Sequence, residues 1–187
     1  PAMFVRAKLL DRAHYMYRDE PLAEKLQAIF DVHLPADERD RGHAHLTLGS
    51  AALRTLLLLV MRNATTDSPW PVSNNPAARY NDRALADCNL DFPLWQLARA
   101  IAAAPVFFPP EEIAVGARRF LFVDGGVTPY NNPSFLMFLM ATLPAYRLEW
   151  PVGEQHMLIV SVGTGAAPNV SESLSENEMW LKYNLSA

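Results

Sequence analysis

The stretch that decides the fold is FLFVDGGVTPYNNP, residues 120–133, in which an apolar run ends in an aspartate and two glycines. Apolar residues, most of them aromatic or β-branched, follow one another from Phe120 to Val123 without polar alternation, which predicts a strand buried on both faces. Asp124 then stands at the carboxyl end of this strand, where ligands gather in open α/β sheets. Asp-Gly and Gly-Gly pairs are also common turn formers, so the stretch alone favours an aspartate that only caps a turn.

Two further apolar runs extend this prediction into a sheet. The stretch from Leu56 to Met61 predicts a core strand, and MLIVSV, residues 157–162, predicts another buried strand that ends at Gly163. The connection between residues 123 and 157 is long enough for a helical crossover, which favours parallel strands with right-handed connections. We therefore expect an α/β fold with a mainly parallel sheet.

Three segments have the pattern or composition of helices. Residues 21–30 begin with a proline and repeat apolar side chains on one face, which predicts a helix packed on a sheet. Residues 93–104 end in a run of small side chains that would let another backbone come close, although alanine is also the best helix former. Residues 134–143 are apolar nearly all round, which predicts a central, buried helix.

Two polar segments are predicted to be surface loops. Residues 62–81 are rich in Asn, Pro, Ser and Thr, and Trp70 within them is interpreted as a cover for the core. Residues 31–45 are strongly charged and contain His43 and His45. Because no third ligand follows these histidines at a familiar spacing, we interpret them as solvated side chains. The sequence therefore predicts no metal site and no cofactor.

The composition excludes several classes of function. The chain has 187 residues, 50% of them hydrophobic, which suits one globular domain. A formal net charge of −4 gives no electrostatic case for nucleic acid. The single cysteine, Cys88, excludes an intrachain disulfide. No signal peptide or membrane-spanning run is present, so we expect a protein that is cytoplasmic or peripheral at a membrane.

Asp124 has the chemistry of a general base. An ionised carboxylate takes a proton from a neighbouring hydroxyl and so turns a weak alcohol into a nucleophile. Gly125 and Gly126 lack a Cβ and permit a tight backbone path beside this carboxylate. The hydroxyl itself is missing, because the 187 residues contain no G-x-S-x-G nucleophile elbow. The short glycine turn at residues 162–165 is only weak support for an oxyanion loop.

Four motifs follow one another in the chain: RNATTDSPWPVSNNP (62–76), LWQLARAIAAAPVFFPP (94–110), FVDGGVTPYNNP (122–133) and VSVGTG (160–165). In this order they resemble the strand and loop after the nucleophile region, the small-residue helix, the Asp-Gly-Gly motif and the downstream strand of the patatin-like phospholipases. The resemblance extends from about Thr47 to Pro168 and covers the second part of the family's domain.

This resemblance implies an acyl hydrolase with a Ser-Asp dyad on a three-layer α/β/α fold, acting on a lipid or acyl ester. Asp124 is then the general base of the dyad, and Gly125 and Gly126 shape the turn that supports it. In the family, the serine and the glycine-rich oxyanion loop come earlier in the chain. We therefore expect residues 1–187 to be a single partial patatin-like domain, incomplete at the N-terminus, inactive by itself, and with a polar tail from about residue 169.

Two other interpretations stay open. A non-catalytic lipid-binding or interaction module of the same fold would keep a pocket, lined by the helix of residues 134–143 and the loop bearing Trp70. A Ser-Asp-His triad would use Asp124 and His156, but His156 lies among ordinary loop residues. Peripheral membrane contact is compatible with a lipid substrate, and the sequence does not determine an oligomeric state. A partial sheet is also expected to expose apolar edges and faces.

Overall fold

The computed structural model describes residues 2–8 and 15–163. Its helices and strands follow in the order α1 (Glu20–Phe30), α2 (Ala36–Asp40), β1 (Leu58–Asn63), β2 (Ser68–Ser73), α3 (Leu94–Ile101), β3 (Glu111–Val115), β4 (Arg118–Asp124) and α4 (Ser134–Thr142). Single 3-10 turns lie at Asp31–His33, Asn89–Asp91, Gly125–Val127 and Pro144–Tyr146. In these described ranges, every helix is too short or too polar to cross a bilayer. The glycine turn beyond residue 163 and the predicted polar tail lie outside the described residues.

The four strands form one sheet in the order β2-β1-β4-β3, and all three pairings are antiparallel. The prediction of a mainly parallel sheet is therefore wrong for the strands that the structure describes. The reason is the length of two connections: β1 joins β2, and β3 joins β4, through short turns, and only antiparallel neighbours can be joined in this way. The predicted combination of helices and a sheet is present, because α3 packs on this sheet.

Strand β2 lies inside the segment whose composition predicts a loop. The strand contains Pro69 and Pro71, and proline cannot donate a hydrogen bond to a sheet. For this reason the sequence pattern did not predict a strand here. The structure places β2 at the edge of the sheet, where one side of the strand needs no partner. The loop interpretation of residues 62–81 is thus wrong for their first half.

One face of the sheet forms the core with α3. Antiparallel partners share a face, and this face is made of Leu59, Met61, Trp70, Val72, Ile113, Phe120 and Phe122. Its centre packs against Leu97 and Ala100 of α3, both fully buried. The Trp70 ring lies 5.6 Å from that of Phe120, so its predicted role as a cover for the core is confirmed. Leu121 on the opposite face is 43% exposed, so β4 is not buried on both faces.

Two helices differ from their predicted surroundings. Helix α1 packs mainly on α3 and not on the sheet. Helix α4 buries Leu136 and Met140 but exposes Phe135 and Met137, the former by 68%, so it is half-buried and not central. Both corrections have the same cause, since apolar periodicity shows that a helix has a face to bury but not which neighbour covers it.

The apolar run of residues 157–162 is not a strand. No regular secondary structure covers residues 157–163, and Leu158 and Val162 are 87% and 92% exposed. The prediction of a second buried strand is therefore wrong. Within the described part of the chain, no strand lies beside this run to pair with it.

Candidate active site

Asp124 is the last residue of β4, and its backbone is held from two sides. In the sheet it stands opposite Met61 of β1. Its N–H donates a hydrogen bond of 3.0 Å to the carbonyl oxygen of Ala103, which lies just beyond α3 and is fully buried. The small side chains at the end of this helix thus allow two backbones to meet. The end of α3 fixes the position of the end of β4.

The carboxylate of Asp124 caps the turn that follows it. Its Oδ1 accepts a hydrogen bond of 2.7 Å from the N–H of Gly126, at the start of the 3-10 turn Gly125–Val127. The interpretation of Asp124 as the cap of a turn is therefore correct. In residues 2–8 and 15–163, no hydrogen bond or ion pair reaches Oδ2, and the residue is only partly buried. One oxygen holds the carboxylate in place while the other stays available to accept a proton.

The two glycines of the turn differ in what they permit. A Cβ on Gly125 would lie 2.0 Å from the carbonyl oxygen of Val60, so the turn passes directly against β1 and only glycine fits. A Cβ on Gly126 would lie 3.1 Å from Oδ1 of Asp124 and 3.3 Å from Oδ1 of Asn131. Gly125 therefore sets the path of the backbone, and Gly126 lets its N–H approach the carboxylate.

The hydroxyl groups near this turn have other partners. Thr128 donates from Oγ1 to the carbonyl oxygen of Gly125 at 2.6 Å. Ser161 accepts at Oγ a hydrogen bond of 3.1 Å from the side-chain amide of Asn132, whose Oδ1 in turn accepts from Ser134. Across the described ranges, no serine or threonine hydroxyl is hydrogen-bonded to Asp124. The described part of the chain thus holds the Asp124 carboxylate in place through the N–H of Gly126 and not through a hydroxyl group.

A strained residue follows the carbonyl that holds Asp124. Val106 has a φ of 70°, a left-handed conformation that β-branched residues rarely adopt. Its carbonyl oxygen accepts a hydrogen bond from Met16, and that of Phe107 accepts one from Tyr17, at 2.8 and 2.9 Å. These bonds to the N-terminal segment support the strained turn after Ala103. Neither the left-handed conformation of Val106 nor its support by the N-terminal segment could be predicted from a sequence pattern; only the alanine run before it was visible.

A buried arginine holds the segment that follows Ala103. Arg99 of α3 has a side chain that is 0% exposed, and it donates a hydrogen bond of 3.0 Å to the carbonyl oxygen of Pro109. Its guanidinium lies 5.3 Å from the centre of the Phe108 ring and 3.9 Å from the carboxylate of Asp19. Burial lowers the pKa of Arg99, and Glu111 and Asp19 oppose this shift. Sequence reasoning misses this residue, since a lone arginine in a helix is normally exposed.

The three histidines considered from the sequence lie apart from Asp124. His45 is paired, not solvated: its Nδ1 is 2.7 Å from Oδ2 of Asp31, and its ring meets the edge of Trp95. No group of metal-ligating side chains occurs in the ranges that the structure describes. His156 is exposed in the turn after Gly153 and makes no hydrogen bond to Asp124. Among the residues that the structure describes, no histidine is hydrogen-bonded to the Asp124 carboxylate.

Comparisons with known proteins show the family to which this chain belongs. The family model of the patatin-like phospholipases matches residues 3–137, a match that starts earlier than residue 47 and ends before residue 168. Patatin-B1 of Solanum tuberosum is 28% identical over 116 residues, which are 57% of this chain and 30% of that protein. A second patatin of the same plant is 27% identical over 122 residues, 59% of this chain and 32% of the relative. The matched region thus spans about a third of these relatives, and the chain belongs to the patatin-like phospholipase family.

Proposed function

We propose that this chain carries the general base of a lipid acyl hydrolase with a Ser-Asp dyad, and that Asp124 is this base. The observation that carries the proposal is the state of the carboxylate: Oδ1 is fixed by Gly126, while Oδ2 has no partner in the described residues. A base of this kind must be held rigidly and still have an oxygen to accept the proton. Family membership supplies the reaction class, hydrolysis of carboxylic esters.

The chemistry assigned to Asp124 is proton transfer in both halves of the reaction. Oδ2 takes the proton of a serine hydroxyl as the serine oxygen bonds to the ester carbonyl carbon, and the proton then passes to the departing alcohol as the ester C–O bond breaks. In the second half, Oδ2 takes a proton from water as the water oxygen bonds to the acyl carbon. The proton then passes to the serine oxygen as the acyl-serine bond breaks. The serine and the donors for the oxyanion must come from outside these 187 residues, which contain no G-x-S-x-G.

Exposed apolar side chains near this turn support a lipid substrate and peripheral membrane contact. Val127 follows the two glycines and is 41% exposed, and Phe135 and Met137 stand out from the solvent face of α4. These exposed side chains lie on the two elements that follow Asp124 in the chain. Apolar groups of this kind lower their free energy by entering the boundary between headgroups and acyl chains.

The test compares Asp124→Asn with Asp82→Asn in the full product of the gene. Asp82 is a matched control, because its Oδ1 caps the N–H of Ala84 at 2.9 Å in the way that Asp124 caps Gly126. With a p-nitrophenyl acyl ester as substrate, Asp124→Asn should lower kcat by about 10³-fold or more, and Asp82→Asn should leave it unchanged. Equal rates in both variants would contradict the proposal.

A second arm uses the 187-residue chain by itself. It should show no ester hydrolysis above background, because the base has no serine to activate. Hydrolysis by this chain that disappears in Asp124→Ala would show that a nucleophile is present among these residues, and the assignment of the missing serine would be wrong. Lipid binding without turnover by the full gene product, unchanged in Asp124→Asn, would favour the non-catalytic module instead.

A further inference from the structure

A second concave site lies on the sheet, apart from the candidate active site. It is a groove of about 730 Å³ at the β2 edge, and its lining includes none of residues 124–131. Its walls are largely aromatic and apolar. They include side chains from β2, the loop after β2, β4, α4 and the turn after α4: Trp70, Tyr80, Phe120, Met140 and Tyr146. Volume and lining both fall in the range of sites that bind small apolar ligands.

Buried amides hold the walls of this groove in place. Asn81, 3% exposed, donates from Nδ2 to the carbonyl oxygens of Ser73 and Asn75 at 2.7 and 2.6 Å. Asn75, 2% exposed, donates from its own Nδ2 to the carbonyl oxygen of Tyr146 at 2.8 Å. The loop after β2 and the turn after α4 are thus fastened to each other and to the sheet. A groove built in this way exists before its ligand arrives, which lowers the ordering cost of binding.

The charged groups of the groove favour an anionic ligand. Arg79 and Arg118 line it, and within residues 2–8 and 15–163 neither takes part in an ion pair. The guanidinium of Arg79 lies 5.4 Å from the centre of the Tyr80 ring, at the apolar wall. Asp87 is the acidic residue of the lining, so the groove carries a net positive charge. Guanidinium groups bind carboxylates through paired hydrogen bonds.

We propose that this groove binds a long-chain carboxylate, with its acyl chain along Trp70 and Phe120 and its carboxylate at Arg79 and Arg118. The aromatic wall shields a flexible apolar chain from water, and the arginines supply the charge that distinguishes a fatty acid from a neutral lipid. The site goes beyond the proposed hydrolase, since it requires neither Asp124 nor a nucleophile. It can therefore hold while the hydrolase proposal fails, and the reverse.

The experiment measures binding of oleate to the full gene product by calorimetry, with oleyl alcohol as the uncharged comparison. Oleate should bind at one site, and Arg118→Gln should weaken it about fivefold or more while leaving oleyl alcohol unaffected. Arg119→Gln is the matched control, because Arg119 is the next residue of β4 and lies outside this groove. Equal effects of the two substitutions would overturn the assignment of the carboxylate.

A second pair of variants tests the position of the acyl chain. Ala86 lines the groove and Ala84 does not, and both are exposed in the same loop. Ala86→Leu should weaken oleate binding about tenfold by filling the groove, and Ala84→Leu should not change it. Quenching of tryptophan fluorescence by a dibrominated stearate should lose its saturable part in Trp70→Phe.

Binding that is indifferent to Ala86→Leu, or absent altogether, would contradict the site. Asp124→Asn supplies the last distinction, because it should abolish hydrolysis and leave oleate affinity unchanged. A loss of oleate affinity in Asp124→Asn would place the ligand at the active site and overturn the proposal of a separate groove.

Discussion

Two apolar runs of this chain look alike in sequence and differ in structure. Residues 120–123 and 157–162 are both rich in β-branched or aromatic side chains, and a glycine follows within two residues of each run. The first lies in β4, between two partner strands, and Phe122 within it is 1% exposed. The second has no regular structure, and Leu158 within it is 87% exposed. Apolar composition indicates that a segment can form a strand, but neighbouring strands decide whether it does.

The difference matters for function because a paired strand can hold a carboxylate still. Asp124 is held by its pairing with β1 on one side and by the carbonyl of Ala103 on the other. Ser161, in the second run, has only the amide of Asn132 to orient its hydroxyl among the residues that the structure describes. A side chain at the end of a paired strand is therefore preorganised in a way that one in an unpaired run is not.

The largest expected difference between the two runs is in the free energy of unfolding. Phe122→Ala should lower it by about 3–5 kcal/mol, because the ring is buried among Trp70 and Phe120 and its removal leaves a cavity. Leu158→Ala should change it by no more than about 0.5 kcal/mol, since the side chain is exposed. Urea unfolding of both variants measures the contrast. Similar losses in the two would mean that the second run is buried as well.

A smaller effect is expected within the turn after the first run. Gly125→Ala should destabilise the protein by more than about 2 kcal/mol, because its Cβ would meet the backbone of Val60 and neither chain can move aside alone. Gly126→Ala should cost about 1 kcal/mol or less, since its closest neighbour is the Asp124 side chain. Thermal unfolding gives the order of the two. A reversed order would show that the turn does not pass against β1.

The smallest expected effect is a pH dependence at the partner of Phe122. Glu111 stands opposite Phe122 in the sheet; burial raises the pKa of its carboxyl, while a hydrogen bond from Gln96 opposes the shift. A raised pKa in the folded state means that the contribution of Glu111 is fully present below its unfolded pKa and is lost as the pH rises through its folded pKa.

Glu111→Gln removes this titration. The variant should therefore gain in Tm relative to the natural chain at pH 7 and show little difference at pH 4. Glu154→Gln is the control, because Glu154 is exposed and takes part in no ion pair within the described residues, and it should leave the Tm unchanged at both pH values. A Glu111→Gln difference that does not change between pH 4 and 7 would contradict the burial of this carboxyl.

The sequence was sufficient to locate the strand that ends in Asp124 and to name the carboxylate, because an apolar run that stops at Asp-Gly-Gly is typical of a strand entering a tight turn. It also located α3, whose periodicity and alanines favour a helix over a strand. It failed for β2, where two prolines removed the strand pattern, and for the direction of the strands, which depends on connections that composition does not reveal. The carbonyl of Ala103 was out of reach, because a backbone contact between distant segments leaves no side-chain signal.

Amide hydrogen exchange compares the two runs most directly. Pairing fixes Asp124, whose N–H is hydrogen-bonded to Ala103, while residues 157–162 lie outside the sheet. The amide of Asp124 should then exchange at least about 100-fold more slowly than that of Val160. If Val160 is as protected as Asp124, the second run is paired after all. If Asp124 exchanges as fast as Val160, the carboxylate is not held as its proposed role as a base requires.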